Sequence, residues 1–404
     1  MKKLKFYLIF MVFFLSYLSV ALISNEPPIR QLNQKNLDTL PPEVPKISGY
    51  WSVDFIHIDG NWSDAARDLE YISGAGNWTH PYLIENVTID AVGTGSGILI
   101  ENTNEYFTIK NCTITNSEAT GSDAGINLDN VHNGTIYLNN CTDNWYGINL
   151  KQSTNITIHD NFLSDNPAIA IRLQQSQNNL IYHNFGNGND VYGLMLVSSS
   201  DNNIIYDNEF NDNNGGSYGY GIEIIQSDYN SIYSNEISRN NRGIDIKNGA
   251  INNTFYDNTI NSNNDYGIIL FNDTSLICKN NTFYRNNLRN PLGLNAYDNG
   301  TNTKWSFNGV GNYWHDYNGQ DANDDGIGDT PYTNIGGRAG TVDNYPIWDD
   351  GIEDDDDNDD DDKESKTLLE AFLTFLSSPL GIGLVAIAII VLIGLICVLR
   401  RRGR

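Results

Sequence analysis

A short motif recurs along the middle of the chain and constrains the fold more than any other feature. Each copy is a small residue followed by an apolar, a variable and an apolar residue, from Gly97-Ile98-Leu99-Ile100 to Gly293-Leu294-Asn295-Ala296. There are nine copies, separated by steps of 22 to 28 residues. A second motif of the type Ile205-Tyr206-Asp207-Asn208 interleaves with the first. Self-similarity at a fixed short period indicates stacked repeats.

The copies predict short β-strands. Apolar and variable residues alternate over three to five positions, Asn, Asp, Gly and Ser bound each run, and no helical periodicity appears. Two or three such strands in each repeat form one coil of a parallel β-helix, whose inward Ile and Leu stack at about 4.8 Å. The predicted fold class is therefore all-β, a parallel β-helix of nine to ten coils over residues 93–304. The Asn that ends the second motif predicts an amide ladder along the coils. Its expected members are Asn139, Asn161, Asn184, Asn208, Asn235, Asn258 and Asn280.

The flanking segments are predicted to close the two ends of the coil stack, which would otherwise pair with other chains. Residues 50–92 form the expected N-terminal cap, with a short helix over residues 63–72. The aromatic-rich residues 305–348 form the expected C-terminal cap.

Both terminal segments are predicted to interact with a membrane. Residues 1–24 resemble a signal peptide or an N-terminal anchor, followed by a Pro-containing leader over 25–49. Residues 349–379 form an acidic stalk, 380–399 a transmembrane helix and 400–404 a basic cytoplasmic tail. The predicted location is the cell membrane, crossed once, with an extracellular ectodomain. The net charge of −26 excludes a nucleic-acid binder, which needs a basic face.

The chain resembles a known family in its coils and in two C-terminal phrases. These phrases are Gly311-Asn312-Tyr313-Trp314-His315-Asp316-Tyr317 and Asp343-Asn344-Tyr345-Pro346. Over about residues 50–350 the sequence is similar to the NosD-like right-handed parallel β-helix proteins. Their repeat also occurs in carbohydrate-binding and sugar-hydrolase β-helix domains. The resemblance implies a right-handed helix and a surface protein, and leaves its substrate open.

A loop in the C-terminal cap matches the first part of a calcium-binding loop. Oxygen ligands are expected at alternating positions, Gly326 permits the sharp turn, and Tyr332 stands where a complete sensor loop has Glu. A structural Ca²⁺ is therefore one prediction, and an Asp/Asn/Gly turn without an ion is the other. The predicted ligands are Asp321, Asn323, Asp325, Ile327 and Asp329.

Two carboxylates are predicted to lie side by side on the outward, solvated face of the first strand series. Glu223 and Asp245 occupy the variable position in successive coils, about 5 Å apart at the backbone. Such a pair serves retaining glycoside cleavage, whereas a lyase would need a base and an Arg or Lys; Arg172, Arg242 and Lys247 are the cations expected nearby. Adjacent acids on an acidic protein also arise without catalysis.

The second strand series places a tyrosine at one outward position in successive coils. Their faces suit sugar rings, and stacked like residues also stabilise a β-helix face. His159 is expected below this column and Cys278 above it. The predicted substrate-binding residues are Tyr182, Tyr206, Tyr233, Tyr256 and Arg172.

Two further features depend on register or on the host. Cys112 and Cys141 either stack closely enough to bond or diverge, according to the register of their coils. Eleven Asn-x-Ser/Thr sequons lie between Asn61 and Asn299, and they are acceptors only in a host that glycosylates.

Three functions fit the sequence. The first is a cell-surface β-helix for recognition or architecture that contacts glycans or neighbouring surface proteins. The alternative is a glycoside hydrolase or polysaccharide lyase using Glu223 and Asp245. The third is a NosD-like copper-site assembly factor, for which the expected cluster of Met, His or Cys ligands is missing from the sequence.

Overall fold

The computed structural model describes residues 51–216, 218–272 and 276–348, which wind into a parallel β-helix. Each coil contributes a strand to two long sheets and, over parts of the stack, to a third side. The prediction of an all-β parallel coil stack is confirmed, and all nine copies of the first motif form strands of one sheet.

Sheet I contains the first strand series, and its ten strands are all paired in parallel. Its strands are β2 (Ile56–Asp59), β6 (Ile98–Thr103), β9 (Ala124–Val131), β12 (Tyr146–Lys151), β14 (Ile169–Gln174), β16 (Tyr192–Val197), β18 (Tyr220–Ile225), β21 (Arg242–Lys247), β24 (Tyr266–Phe271) and β27 (Leu294–Asp298).

Sheet II contains the second strand series and also has ten strands, parallel except for the antiparallel pair of its first two. Its strands are β3 (Ile72–Ser73), β4 (Tyr82–Glu85), β7 (Phe107–Lys110), β10 (Gly134–Tyr137), β13 (Thr157–His159), β15 (Leu180–Tyr182), β17 (Ile204–Tyr206), β19 (Ser231–Tyr233), β22 (Thr254–Tyr256) and β25 (Thr282–Tyr284).

The third side of the coils consists of two four-stranded sheets. Single parallel bridges from Asn140 through Phe162, Phe185 and Glu209 to Glu236 continue the pairing between them. The first sheet has β1 (Trp51–Val53), β5 (Val87–Asp90), β8 (Thr113–Thr115) and β11 (Asn140–Cys141). The second has β20 (Glu236–Ser238), β23 (Thr259–Asn261), β26 (Asn287–Arg289) and β28 (Tyr313–Trp314).

The core is a set of in-register apolar columns inside the coils. Ile126, Ile148 and Ile171 are paired on consecutive strands of sheet I, and all three are buried. Each fully buried side chain of this size contributes about 1.5–3 kcal/mol relative to exposure. Because every coil repeats these positions, the repeat period specifies the register of the whole stack.

Buried asparagine ladders line the turns, as the sequence predicted, and the described coils contain three of them. In the predicted ladder, Asn208 donates from Nδ2 to Asn235 Oδ1 at 3.0 Å, and the same pattern repeats between coils. Asn280 does not belong to it: Asn258 donates to Asn286, and Asn286 donates to Asn312. Asn280 is an exposed turn residue with φ of 55°. The other two ladders run through Asn179, Asn203, Asn230, Asn253 and Asn281, and through Asn144, Asn166, Asn189, Asn213, Asn240, Asn263 and Asn290.

The expected N-terminal cap forms strands as well as a helix. Helix α1 (Trp62–Asp68) ends earlier than the predicted residue 72, where the chain has entered β3. Strands β2, β4 and β5 from this segment join the sheets of the coil stack. Trp62 stacks on Tyr82 and covers the end of the core.

The C-terminal cap is held by buried carboxylates and tryptophans. Asp343 accepts hydrogen bonds from Trp314 Nε1 at 2.9 Å and from the Asn312 backbone at 2.7 Å. Trp305 and Trp314 are both buried beneath this segment. The predicted signal or anchor, leader, stalk, transmembrane helix and tail lie outside the described residues. Among the residues that are described, no helix is long and apolar enough to cross a membrane.

Candidate functional site

The outer face of sheet I carries three columns of side chains that run across the coils. The first column holds the residue that precedes the repeat glycine, as in Tyr192, Tyr220 and Arg242. The central column holds the variable residue of the motif, and the last column ends each strand. We call the following six residues of this face the central cluster: Tyr192, Tyr220, Glu223, Arg242, Asp245 and Lys247.

Glu223 and Asp245 are direct partners on strands β18 and β21. The structure thus brings the two carboxylates together at the predicted position. The expectation of a solvated face is wrong at this point, because Glu223 is 1% exposed and Asp245 is 0% exposed.

Each acid is paired with a cation of strand β21. Lys247 Nζ lies 2.6 Å from Glu223 Oε1, and Arg242 Nη1 donates to Asp245 Oδ2. The side chains of Arg242 and Lys247 are 26% and 19% exposed, so they reach solvent while the acids do not. Within the described chain, Asp245 Oδ1 has no hydrogen-bond partner.

Aromatic rings of the first column frame these cations. The Arg242 guanidinium lies 5.0 Å from the ring centre of Tyr220 and 5.7 Å from that of Tyr266. Tyr192 stacks on Tyr220 with ring centres 5.2 Å apart. A cation held over aromatic faces and against a buried carboxylate has little rotational freedom. The central cluster is therefore a preorganised surface.

Burial and the paired charges together set the proton affinities of the cluster. It raises the pKa of Glu223 above its ordinary value; the charge of Asp245 acts in the same direction, and Lys247 opposes both. Burial lowers the pKa of Lys247, but attraction to Glu223 and Asp245 outweighs it, so the net pKa is raised. Burial also raises the pKa of the Tyr192 phenol, which lies near Glu223. Lys247 therefore stays charged at neutral pH.

Arg172 lies two strands from Glu223 in the central column, with Met195 between them. Its guanidinium donates to the amide oxygens of Asn149 at 3.0 Å and Gln174 at 2.8 Å. Burial lowers its pKa, although it remains a cation. Asn149 and Gln174, its hydrogen-bonding partners among the described residues, are both neutral. Arg172 thus differs from Arg242 and Lys247, whose charges are balanced by acids.

The tyrosine column on sheet II forms a continuous stack. Ring centres of Tyr182, Tyr206, Tyr233 and Tyr256 are 4.7 to 5.1 Å apart, with interplanar angles of 10° or less. His159 lies below as expected, but Tyr284 continues the stack above Tyr256. The placement of Cys278 in this column was wrong, because that residue is buried in the core. Each ring face inside the stack is covered by its neighbours, so ring edges and hydroxyl groups form the outer surface.

The candidate calcium loop is closed by its own carboxylates. Asp321 accepts backbone hydrogen bonds from Asp325 and Gly326, and Asp329 accepts one from Ala322 at 2.9 Å. Asn323 donates from Nδ2 to Asp325 Oδ2, and the Ile327 N–H donates to Asp325 Oδ1. Gly326 has φ of 77°, as the predicted sharp turn requires. In the described parts of the chain, no group of three or more His, Cys, Asp or Glu side chains converges as a metal site would. Ca²⁺ binding itself stays a prediction.

The cysteines outside the predicted membrane segment are free thiols. Cys141 is paired with Ile114 rather than with Cys112, which is the diverging register. Burial raises the pKa of Cys112 to about 12. These thiols therefore pack in the core as apolar groups.

The tyrosines of the first column on sheet I were missed from the sequence. Their signal is a Tyr or Arg directly before the repeat glycine, as in Tyr146-Gly147, Tyr220-Gly221 and Arg242-Gly243. The sequence contains no comparable signal for the burial of Glu223 and Asp245, because that burial depends on side chains of neighbouring strands.

Comparison with known proteins supports the same architecture. A family model described as "Right handed beta helix region" matches residues 96–224 and 195–319. A search of curated proteins gave no significant match.

Several solved structures are similar in fold. A double mutant of the periplasmic alginate epimerase AlgG is 16% identical, with 64% of this chain and 73% of that chain covered and a TM-score of 0.41. The Azotobacter vinelandii mannuronan C-5 epimerase AlgE4 A-module is 15% identical, with coverage of 59% and 81% and a TM-score of 0.35. The Dettilon tailspike protein is 15% identical, with coverage of 63% and 57% and a TM-score of 0.45.

Proposed function

This chain belongs to the right-handed beta helix family, and on that premise we propose that it is a cell-surface recognition protein that binds glycans through the outer face of sheet I. The contact groups in this proposal are Arg172, Tyr192, Arg242 and Lys247. The guanidinium and ammonium groups donate hydrogen bonds to the hydroxyl groups of sugars, and tyrosine rings match their apolar faces.

The observation that carries the proposal is the fixed orientation of the half-buried cations. Arg242 is held between two tyrosine rings and against Asp245, and Lys247 is held against Glu223. Binding through such groups loses little conformational entropy, because they are ordered before the ligand arrives. The net charge of the protein is −26, so the presence of these cations at the surface favours a recognition role for them.

Incubation with a panel of neutral and acidic polysaccharides tests this function. Retention of the protein on each polymer and the chain length of the polymer are read from the same samples. The proposal expects retention with chain length unchanged. Absence of retention on every polymer would favour an architectural role with protein partners.

Polysaccharide cleavage is the second candidate, favoured by the side-by-side carboxylates and the unpartnered Asp245 Oδ1. Retaining glycosidases hold their two carboxyl groups about 5–5.5 Å apart. Both groups must reach the sugar, however, and here neither carboxylate is exposed to solvent. Shortening of a polymer that disappears in Glu223→Gln or Asp245→Asn would establish this activity.

The cellular setting is also a proposal. We place the β-helix outside the cell, with residues 1–24 as a signal peptide or anchor, 349–379 as a stalk and 380–399 as a membrane anchor. Proteolysis of intact cells should then release the β-helix domain. A NosD-like role in copper-site assembly is a third hypothesis, and it requires Cu(I) binding by the purified protein.

A further inference from the structure

Four of the eleven sequons share one turn of the β-helix: Asn133, whose Thr135 pairs with Thr157 and whose Nδ2 donates to the Asn104 carbonyl at 3.0 Å, and three more. Asn155, Asn252 and Asn280 each stand two residues before the first residue of a sheet II strand. Their threonines, Thr157, Thr254 and Thr282, occupy one row, which is connected through Leu180, Ile204 and Ser231 in the register of the sheet. The repeat therefore aligns these sequons along one edge of the molecule.

Asn155 and Asn280 present their side-chain amides to solvent. Both residues are exposed and have φ of 55°, a left-handed turn conformation that Asn tolerates. Within the described chain, Nδ2 of neither residue donates a hydrogen bond, and Asn280 Oδ1 accepts one from Asn302 Nδ2 at 3.3 Å. Each acceptor nitrogen is therefore available without disturbing the fold.

Two of the other sequons have their amides committed to the protein. Asn111 donates from Nδ2 to Asn86 Oδ1, and both residues belong to sequons. Asn272 donates from Nδ2 to the Asn299 carbonyl at 2.7 Å and accepts the Cys278 N–H at Oδ1. A bulky glycan on these nitrogens would have to displace packed groups.

We propose that Asn155 and Asn280 are N-glycosylation sites. In this reaction the Nδ2 nitrogen forms a bond to the anomeric carbon of a lipid-diphosphate-linked oligosaccharide and loses one proton. The bond from that carbon to the diphosphate breaks, and the diphosphate leaves with the electron pair. Asn252 lies one strand from Asn280, about 4.8 Å away, which leaves no room for a second glycan.

The two glycans would leave a bare surface between them. Five strand spacings, about 24 Å, separate the positions of Asn155 and Asn280. The intervening rows expose Ile204 and the edges of the stacked tyrosines. Carbohydrate would shield the coils at both ends of this surface and keep its middle accessible.

Glycopeptide mass spectrometry of the full-length protein, purified from its own cells, tests the proposal. The expected result is a glycan at Asn155 and at Asn280, with Asn111 and Asn272 unmodified. A bare Asn155 or a bare Asn280 would overturn the proposal. Glycans on Asn111 or Asn272 would overturn the argument from committed amides.

A matched pair of variants separates modification from folding. Thr157→Ser keeps the sequon and should keep the glycan, whereas Thr157→Val removes the sequon and should lower the mass by one glycan. Thr157 is half-buried at the outer face, so both variants should fold and melt at similar temperatures. Equal masses of the two folded variants would contradict modification at Asn155. This test is independent of glycan binding by sheet I.

Discussion

Glu223 and Asp245 face each other across strands β18 and β21, and both carboxylates are buried beneath the cations of β21. The outer face of a β-helix is usually solvated, so two adjacent buried acids are costly unless their charges are balanced. Lys247 and Arg242 provide that balance. The acids thus act first as supports that orient two cations at the surface.

Removing the charge of Asp245 should destabilise the protein. Asp245→Asn leaves Arg242 without its counter-ion in a half-buried position, and we expect a loss of about 1–3 kcal/mol in the free energy of unfolding. Urea denaturation measures this loss. The matched control is Asp212→Asn, whose pair with Arg239 is about half exposed and should contribute less than about 1 kcal/mol. Equal losses in the two variants would contradict the supporting role of Asp245.

The stability of the protein should depend on pH through Glu223. Its pKa is raised in the folded state, because burial favours the neutral acid. The folded protein therefore binds this proton more tightly than the unfolded chain does. The resulting contribution to stability is fully present below the unfolded pKa of about 4.3 and is lost as pH rises through the folded pKa.

Glu223→Gln should remove this pH dependence. Relative to the variant, the wild type should lose free energy of unfolding as pH rises from about 4 to 7. Glu70→Gln, at an exposed residue after helix α1, should follow the wild-type curve. Parallel curves for wild type and Glu223→Gln would show that burial does not shift the proton affinity of Glu223.

The asparagine ladders should contribute far more to stability than neighbouring surface asparagines. Asn263 is buried, donates to Ile237 O and Asn290 Oδ1, and accepts the Asn240 N–H. Asn263→Ala leaves buried backbone groups unpaired, and we expect a loss of about 3–4 kcal/mol. Asn264→Ala changes the adjacent exposed residue and should stay within about 0.5 kcal/mol. If the two variants had the same urea midpoint, the ladder would not contribute to stability as proposed.

Calcium binding to the C-terminal loop should raise the melting temperature. Ca²⁺ that binds the folded loop stabilises it by mass action, and Asp329→Asn should reduce the rise by removing one ligand charge. Differential scanning calorimetry with increasing Ca²⁺ measures the shift, and Mg²⁺ at the same concentration is the control. A melting midpoint that does not move with Ca²⁺ would leave the loop as a turn closed by its own carboxylates.

The coil stack was predictable because each repeat carries the same pattern of apolar and variable residues. Nine copies of one motif specify strand, inward face and register, so the pairing of Glu223 with Asp245 followed from residue spacing. Asn280 was misplaced in the ladder although the sequence carries the signal: Phe283-Tyr284-Arg285-Asn286 repeats the second motif, and Asn286 occupies the ladder position. The register there follows from the motif itself and not from the average spacing of the repeats.

The burial of the site was not predictable from the same pattern. Alternation assigns Glu223 to the outer face but gives no information about what lies above it. Beside Glu223 lies Lys247 of the neighbouring strand, which also contacts the Tyr220 ring, and this arrangement depends on side-chain rotamers. The tyrosine stack shows the same limit, since the sequence aligned the rings but did not show that they cover one another's faces.

The most direct test of the central proposal compares two proteins on a polysaccharide that retains the wild type. The retention of Arg172→Gln is measured against that of the wild type. Arg172 has neutral partners, so its replacement leaves no buried acid unpaired, but it removes the donor to the buried Asn149 Oδ1, and the melting temperature of the variant is therefore measured beside its retention. We predict at least about tenfold weaker retention, equivalent to about 1.4 kcal/mol, with Lys279→Gln at an exposed turn as the control that binds normally. Retention of Arg172→Gln equal to that of the wild type would contradict glycan binding through the outer face of sheet I.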